Sequence, residues 1–296
     1  MSHLYLYKHL GKQVCKIRLT VYLLCSLAAA LPLTSHTAKG KLIATSGLMQ
    51  IEGSGGGGIV PWATLSGYDS QDQISINAVA TQVEVDVYRL NVLGFSASFY
   101  DRLELSVAQH RLDLKSLGGH IKQTVFGLKY KLIGDVVYSD WPQVNIGLQH
   151  KQLDDPEIPR AVGAANSRKG NDFYLAATKV HLGAIGGYNA VWNITARATK
   201  ANELGLLGFG GPENDRYQIM LEGSAGILFS RHLALGLEYR QKPDNLGLAE
   251  DDWMDVFVSY IPSKDFSLTL AWADLGTIAG ATGQKGLYLS LSGQLK

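Results

Sequence analysis

From about residue 72 onward the chain is a succession of stretches in which apolar and polar side chains alternate. Phe266, Leu268, Leu270 and Trp272 fall on one side of an extended backbone, and Ser267, Thr269, Ala271 and Ala273 on the other. Leu287, Leu289 and Leu291 repeat the pattern against Tyr288, Ser290 and Ser292. Successive side chains of a strand point to opposite faces, so each stretch has one apolar face and one small or polar face. No apolar run reaches the ~20 residues that a spanning helix needs, and mean hydropathy is only +0.01. A barrel that crosses a bilayer with strands produces this combination, because half of every strand faces the lumen and the average is neutral.

The alternation predicts strands over 72–83, 86–99, 102–113, 120–132, 142–152, 171–182, 189–200, 215–229, 231–242, 252–261, 265–276 and 286–295. Twelve is an even number, as a single-chain bacterial barrel requires. Connection lengths alternate as well. Working back from the end, 277–285 is long, 262–264 short, 243–251 long, Ser230 very short, 201–214 long, 183–188 shorter and 153–170 the longest. Short periplasmic turns and long external loops give that rhythm, and its phase puts the C-terminus in the periplasm. The expected fold is all-β: a closed antiparallel transmembrane β-barrel of about 12 strands over residues 72–296, integral to the outer membrane of a Gram-negative bacterium.

Residues 1–38 read as a cleavable signal peptide. Lys8, Lys12, Lys16 and Arg18 form a basic start, residues 19–33 an apolar stretch, and Ser35 and Ala38 offer a small-residue cut, with Ala30 as another. Both cysteines, Cys15 and Cys25, lie inside this segment, so the exported chain carries no thiol into an oxidising compartment. Four of the 27 Lys and Arg would leave with it, against 26 Asp and Glu that stay. The mildly acidic remainder lacks the basic field that nucleic-acid binding needs.

Residues 39–71 stand apart. Gly53, Ser54, Gly55, Gly56, Gly57 and Gly58 precede Ile59-Val60-Pro61-Trp62. A phosphate loop would need Lys-Ser/Thr and a helix after the glycines; neither follows. The segment is expected to be a flexible turn, a plug folded into the lumen, or two further strands that raise the count to 14.

With the Leu/Phe/Trp face outward, the lumen face carries Glu104, Lys129, Lys131, Arg197, Glu222, Glu238, Arg240, Lys242 and Asp255, with His110 as a neutral member. Charges in a confined low-dielectric space need partners, and a selectivity ring would be more one-signed. This mixed set predicts an ion-paired lumen that props the barrel. Trp141, Trp192, Trp253 and Trp272, with Tyr100, Tyr138, Tyr188, Tyr239 and Tyr260, are placed in interfacial girdles.

No nucleophile–base signature surrounds His110, His120, His150, His181 or His232, and metal motifs such as HExxH or an EF-hand loop are absent from the sequence. No enzymatic activity, metal or cofactor is expected. Asp244, Glu250, Asp251 and Asp252 make an acidic external loop, expected to be a solvated charged loop, with contact to divalent cations that bridge lipopolysaccharide as the lesser alternative. The expected partners are membrane lipid and lipopolysaccharide, and the barrel-assembly machinery during biogenesis; the oligomeric state stays open.

Several runs resemble one family. Gly40-Lys41-Leu42, residues 51–58 with Pro61-Trp62, the run from Tyr100 to Ser106, the run from Glu238 to Leu246, Glu250-Asp251-Asp252-Trp253 and the run from Gly286 to Leu291 are similar to the proteobacterial family called domain of unknown function 3034, over about residues 40–296. The resemblance implies an outer-membrane barrel and carries over no catalytic residue. Passive, porin-like passage of small solutes is the leading expectation, with a closed structural or docking barrel and an outer-membrane lipid hydrolase as alternatives.

Overall fold

Every strand of the wall has two hydrogen-bonded neighbours. The computed structural model describes residues 41–115 and 118–295, so the signal peptide expected over 1–38 lies outside the described residues. The wall consists of β1 (Ile74–Glu84), β2 (Tyr88–Phe99), β3 (Leu103–Leu114), β4 (His120–Ile133), β5 (Gln143–Leu153), β6 (Lys169–Ile185), β7 (Tyr188–Thr199), β8 (Gln218–Ser230), β9 (Leu233–Arg240), β10 (Trp253–Ser263), β11 (Phe266–Asp274) and β12 (Lys285–Leu295). Each pairs antiparallel with the next, and β1 returns to β12 with Ile76 opposite Leu295 and Glu84 opposite Leu287. Closure pairs the backbone groups of every strand and leaves no edge, as a bilayer demands.

The wall therefore closes with twelve strands, and the 14-stranded alternative is corrected. Residues 41–71 supply only isolated bridges, Met49 to Gly55 and Gly56 to Pro61. A run of glycines has no alternating side chains with which to fill both faces of a strand.

The outward face is apolar. Leu93, Phe95, Ile146, Leu175, Ile194 and Leu270 all lie on it, exposed to whatever surrounds the barrel. In water so large an apolar surface would be untenable; in hydrocarbon it is the matching surface. The molecule is an integral barrel of the Gram-negative outer membrane. By the convention of short periplasmic turns, residues 100–102, 134–142, 186–187, 231–232 and 264–265 face the periplasm. The longer connections, including 154–168 with its short helix Glu157–Ala161, 200–217, 241–252 and 275–284, are external.

Three expectations need correction. Trp253 does not join an outward girdle: Met254, Val256 and Val258 take the outward phase of β10, so Trp253 points in and is buried beside Leu275 and Ile278. The strand expected over 231–242 stops at Arg240, because Lys242 leaves the ladder to meet Glu203 and Glu250. The strand expected to begin at 215 begins at Gln218, after the loop that carries Pro212.

Candidate functional site

The lumen is occupied by the chain's own residues 41–71, termed here the inner segment. Met49, Gln50, Ile51, Glu52, Val60 and Ser66 are all fully buried within the barrel. A backbone without regular secondary structure must find partners for its N–H and C=O groups elsewhere. Here some are met within the segment, as by Ile51 N donating to the Gly58 carbonyl at 3.0 Å, and inward-facing side chains of the wall supply others.

The densest contact surrounds Glu52. Five consecutive strands each contribute one charged side chain to it: Lys151 from β5, Asp172 from β6, Arg197 from β7, Glu222 from β8 and Arg240 from β9, alternating in sign around the wall. Lys151 contacts Asp172 at 2.6 Å; Arg197 contacts Asp172 at 3.2 Å and Glu222 at 2.5 Å; Arg240 contacts Glu222 at 3.5 Å. Glu52 completes the set from within. Its Oε1 lies 2.5 Å from the Lys151 ammonium, and its Oε2 lies 3.1 Å from Arg197 and 3.0 Å from Arg240. Three cations thus face three carboxylates, of which the wall owns only two. Removing one partner from such a buried set leaves an uncompensated charge and costs about 3–5 kcal/mol.

Two further carboxylates read the glycine run. Glu104 on β3 accepts the N–H of Gly55 at 3.0 Å and of Ser66 at 2.6 Å. Beside it, Lys129 on β4 donates to the carbonyls of Gly55 at 2.6 Å and Thr64 at 2.9 Å. Glu238 on β9 accepts from Gly58 N at 2.6 Å, Ile59 N at 2.7 Å, Trp62 Nε1 at 3.1 Å and Ser224 Oγ at 2.7 Å. The glycines permit this approach: a Cβ on Gly57 would lie 1.8 Å from Glu238 Oε1, and Gly53 holds φ at +87°. Neutral side chains finish the attachment. His110 Nε2 donates to the Ile51 carbonyl at 2.8 Å, Gln143 to the Ala63 carbonyl at 2.5 Å and Thr195 to the Pro61 carbonyl at 2.8 Å.

Of the nine charged residues expected in the lumen, Glu104, Lys129, Arg197, Glu222, Glu238 and Arg240 touch the inner segment or its ion set directly. Asp255 sits opposite Glu238 in the β9–β10 register, and neither of its carboxylate oxygens has a hydrogen-bond partner. Lys131 lies at the periplasmic end, 2.6 Å from Asp101, which also meets Lys41 of the inner segment at 2.7 Å. Lys41 and Asp101 line a cavity of about 170 Å³ there. Lys242 lies at the external mouth, bonded to Glu203 at 2.5 Å, Glu250 at 2.9 Å and the Thr277 carbonyl at 2.8 Å. Burial, with Glu250 alongside, holds the Glu203 carboxyl well above the usual range despite Lys242. Around this cluster Leu204, Leu206, Leu207, Leu275 and Ile278 pack into an apolar lid.

Glu52, Lys151 and Asp172 escaped the expected set. Two of them carried a signal: Lys151 shares its phase with Gln143, Asn145 and Gln149, and Asp172 shares its own with Tyr174, Ala176 and Thr178. Glu52 lies outside any period, so nothing local marked it. The histidine rings have varied partners. Besides His110, His150 bonds Asn171, Trp192 Nε1 donates to His181, His232 bonds the Ile261 carbonyl, and His120 meets Arg111. Among the described residues no serine hydroxyl is bonded to a histidine ring.

The sequence signature of the family described as Protein of unknown function (DUF3034) matches residues 45–292. No curated protein matches the chain by sequence. Several solved outer-membrane structures resemble it distantly. A KdgM porin shares 13% identity over 75% of this chain and 99% of its own, with a TM-score of 0.47. Omp33 of Acinetobacter baumannii shares 6% over 76% and 100%, at 0.45. Outer membrane phospholipase A from Escherichia coli shares 8% over 76% and 92%, at 0.40. The chain belongs to the DUF3034 family.

Proposed function

We propose that this member of the DUF3034 family is a porin-like barrel that passes small solutes when its inner segment leaves the lumen, and that is closed while the segment is in place. The observation that carries this reading is how the lumen is filled. A separate strip of chain lies inside the wall, attached by polar and ionic contacts and by Ile51, Ile59, Val60 and Trp62, which share a hydrophobic cluster with wall side chains. Hydrogen bonds to charged groups are worth about 1.5–3 kcal/mol each, and the ion set of Glu52 adds to them, so the strip leaves the lumen rarely. The strip is an obstacle that belongs to none of the strands of the wall.

The test is conductance across a planar bilayer, on the intact protein and on a chain lacking residues 41–66. The intact protein should be nearly silent with rare openings; the shortened one should conduct steadily. If the shortened chain folds, judged by faster migration unheated than boiled, and remains silent, the conduit reading fails. A permanently closed barrel would replace it. That second reading draws support from the apolar lid of Leu204, Leu206 and Leu207, which would have to move as well. A lipid hydrolase has less to start from, since the histidines pair with carbonyls, Asn171, Trp192 and Arg111 rather than with a nucleophile.

A further inference from the structure

The ion set around Glu52 has a property that the rest of the lumen lacks. Lys151, Arg197 and Arg240 belong to the wall, as do Asp172 and Glu222; the third carboxylate belongs to the inner segment. Balance is reached only while Glu52 is present. Once the segment leaves, these five wall residues keep an excess of one positive charge at a place shaped for a carboxylate, with Glu238 and Asp255 further along the wall. The shape is explicit: Lys151 holds one oxygen at 2.5 Å, and two guanidinium groups converge on the other at 3.0 and 3.1 Å. A two-oxygen anion spans the separation between these two positions, and a spherical one does not.

We propose that Lys151, Arg197 and Arg240 form a carboxylate-binding site in the conduit, that Glu52 occupies it in the closed state, and that carboxylate-bearing solutes compete with Glu52 for it. This rests on the reading that the inner segment leaves the lumen, and it adds the class of solute that favours the exchange. Any solute carboxylate that reaches the layer meets three cations already held in position by Asp172, Glu222 and Gln149, the last accepting from Arg197 at 2.6 Å. Neutral solutes leave the excess charge unanswered. Cationic solutes meet like charge at this set.

The site can be tested apart from passage by chemical rescue. Glu52→Ala keeps the three cations and removes the carboxylate, leaving room for a small one. The variant should lose thermal resistance of its compact gel band. Acetate should restore that resistance at concentrations on the order of tenfold below those at which chloride does, the ratio corresponding to one charge-assisted hydrogen bond. Acetamide should restore nothing. Equal rescue by acetate and chloride at matched ionic strength, or no rescue by either, would overturn the proposal. If Glu52→Ala does not fold, the intact protein still decides. Hydrogen exchange at residues 49–62 should be faster in potassium succinate than in potassium chloride of equal ionic strength, and equal rates would refute the competition. Rescue with a silent deletion chain would leave the site standing and remove the conduit. A conducting deletion chain without rescue would do the reverse.

Discussion

At the scale of single residues, close approach between the glycine run and the wall carboxylates sets the tolerances. Gly57→Ala would drive a methyl group into Glu238 Oε1, which Trp62 and Ser224 hold in place. It should cost about 1–3 kcal/mol, as overpacking generally does, read from the urea midpoint of the refolded barrel. Gly223→Ala is the control: its new Cβ meets only the Asn193 carbonyl at 3.5 Å, and its effect should stay within about 0.5 kcal/mol. A second residue-scale expectation concerns pH. Burial pushes the Asp101 carboxyl up, but Lys41 and Lys131 more than offset it, so its pKa lies below the ordinary value. A carboxyl whose folded pKa is depressed stabilises fully above its unfolded value, about 3.9, and loses that contribution as pH falls through the lower folded one. Proteolysis near Lys41 should therefore accelerate below about pH 4. Asp101→Asn should show the faster cleavage already at neutral pH, with a flat acid profile. An acid step of the same size in the variant would assign the titration to another group.

At the scale of elements, the strand phases were legible because one face of every strand must meet lipid, which imposes a strict period of two. Leu270 illustrates it. It stands mid-strand between Val258 and Leu289, both outward. Leu270→Arg should cost roughly 2–4 kcal/mol in bilayer refolding titrations, whereas Ile74→Arg, at the periplasmic end of β1, should cost about 0–1. Similar losses at the two sites would mean that the hydrocarbon band is misplaced. What the period could not reveal are contacts made outside it. Lys242 reads as the next inward residue after Arg240, yet the chain has already turned toward Glu203 and Glu250. Asp255 was expected to find a cation; the β9–β10 register puts it opposite Glu238 instead. Charge partners depend on register and on the path of an aperiodic segment, and neither is written in local alternation.

At the scale of the whole molecule, wall and inner segment are two parts whose relative motion decides whether anything passes. They can be fastened together. Ser66 Oγ lies 3.1 Å from Ser98 Oγ on β2, and both native cysteines lie within residues 1–38. In a Ser66→Cys, Ser98→Cys chain, oxidation should abolish the rare bilayer openings, and a reductant should restore them. Openings that persist after complete oxidation would mean that ions find a way past a fixed segment. The wall itself was readable in outline, down to its twelve staves, because closure and lipid contact constrain every strand alike. The filling was only half readable: the glycine run stood out, but not that Glu52 would sit among three cations, since that depends on which wall residues come to surround it.

The seam between β1 and β12 also bears on how such a molecule is put together. Its two strands come from opposite ends of the barrel-forming chain, Ile76 against Leu295, so their meeting is the most expensive loop to close and the natural last step of assembly. The inner segment immediately precedes β1, so it has already left the exporter when the later staves arrive. Through Glu104, Lys151, Arg197 and Glu238 it touches β3, β5, β7 and β9, staves distant in sequence. A strip that binds such staves from inside ties together positions that the chain itself keeps far apart, like the hub of a wheel.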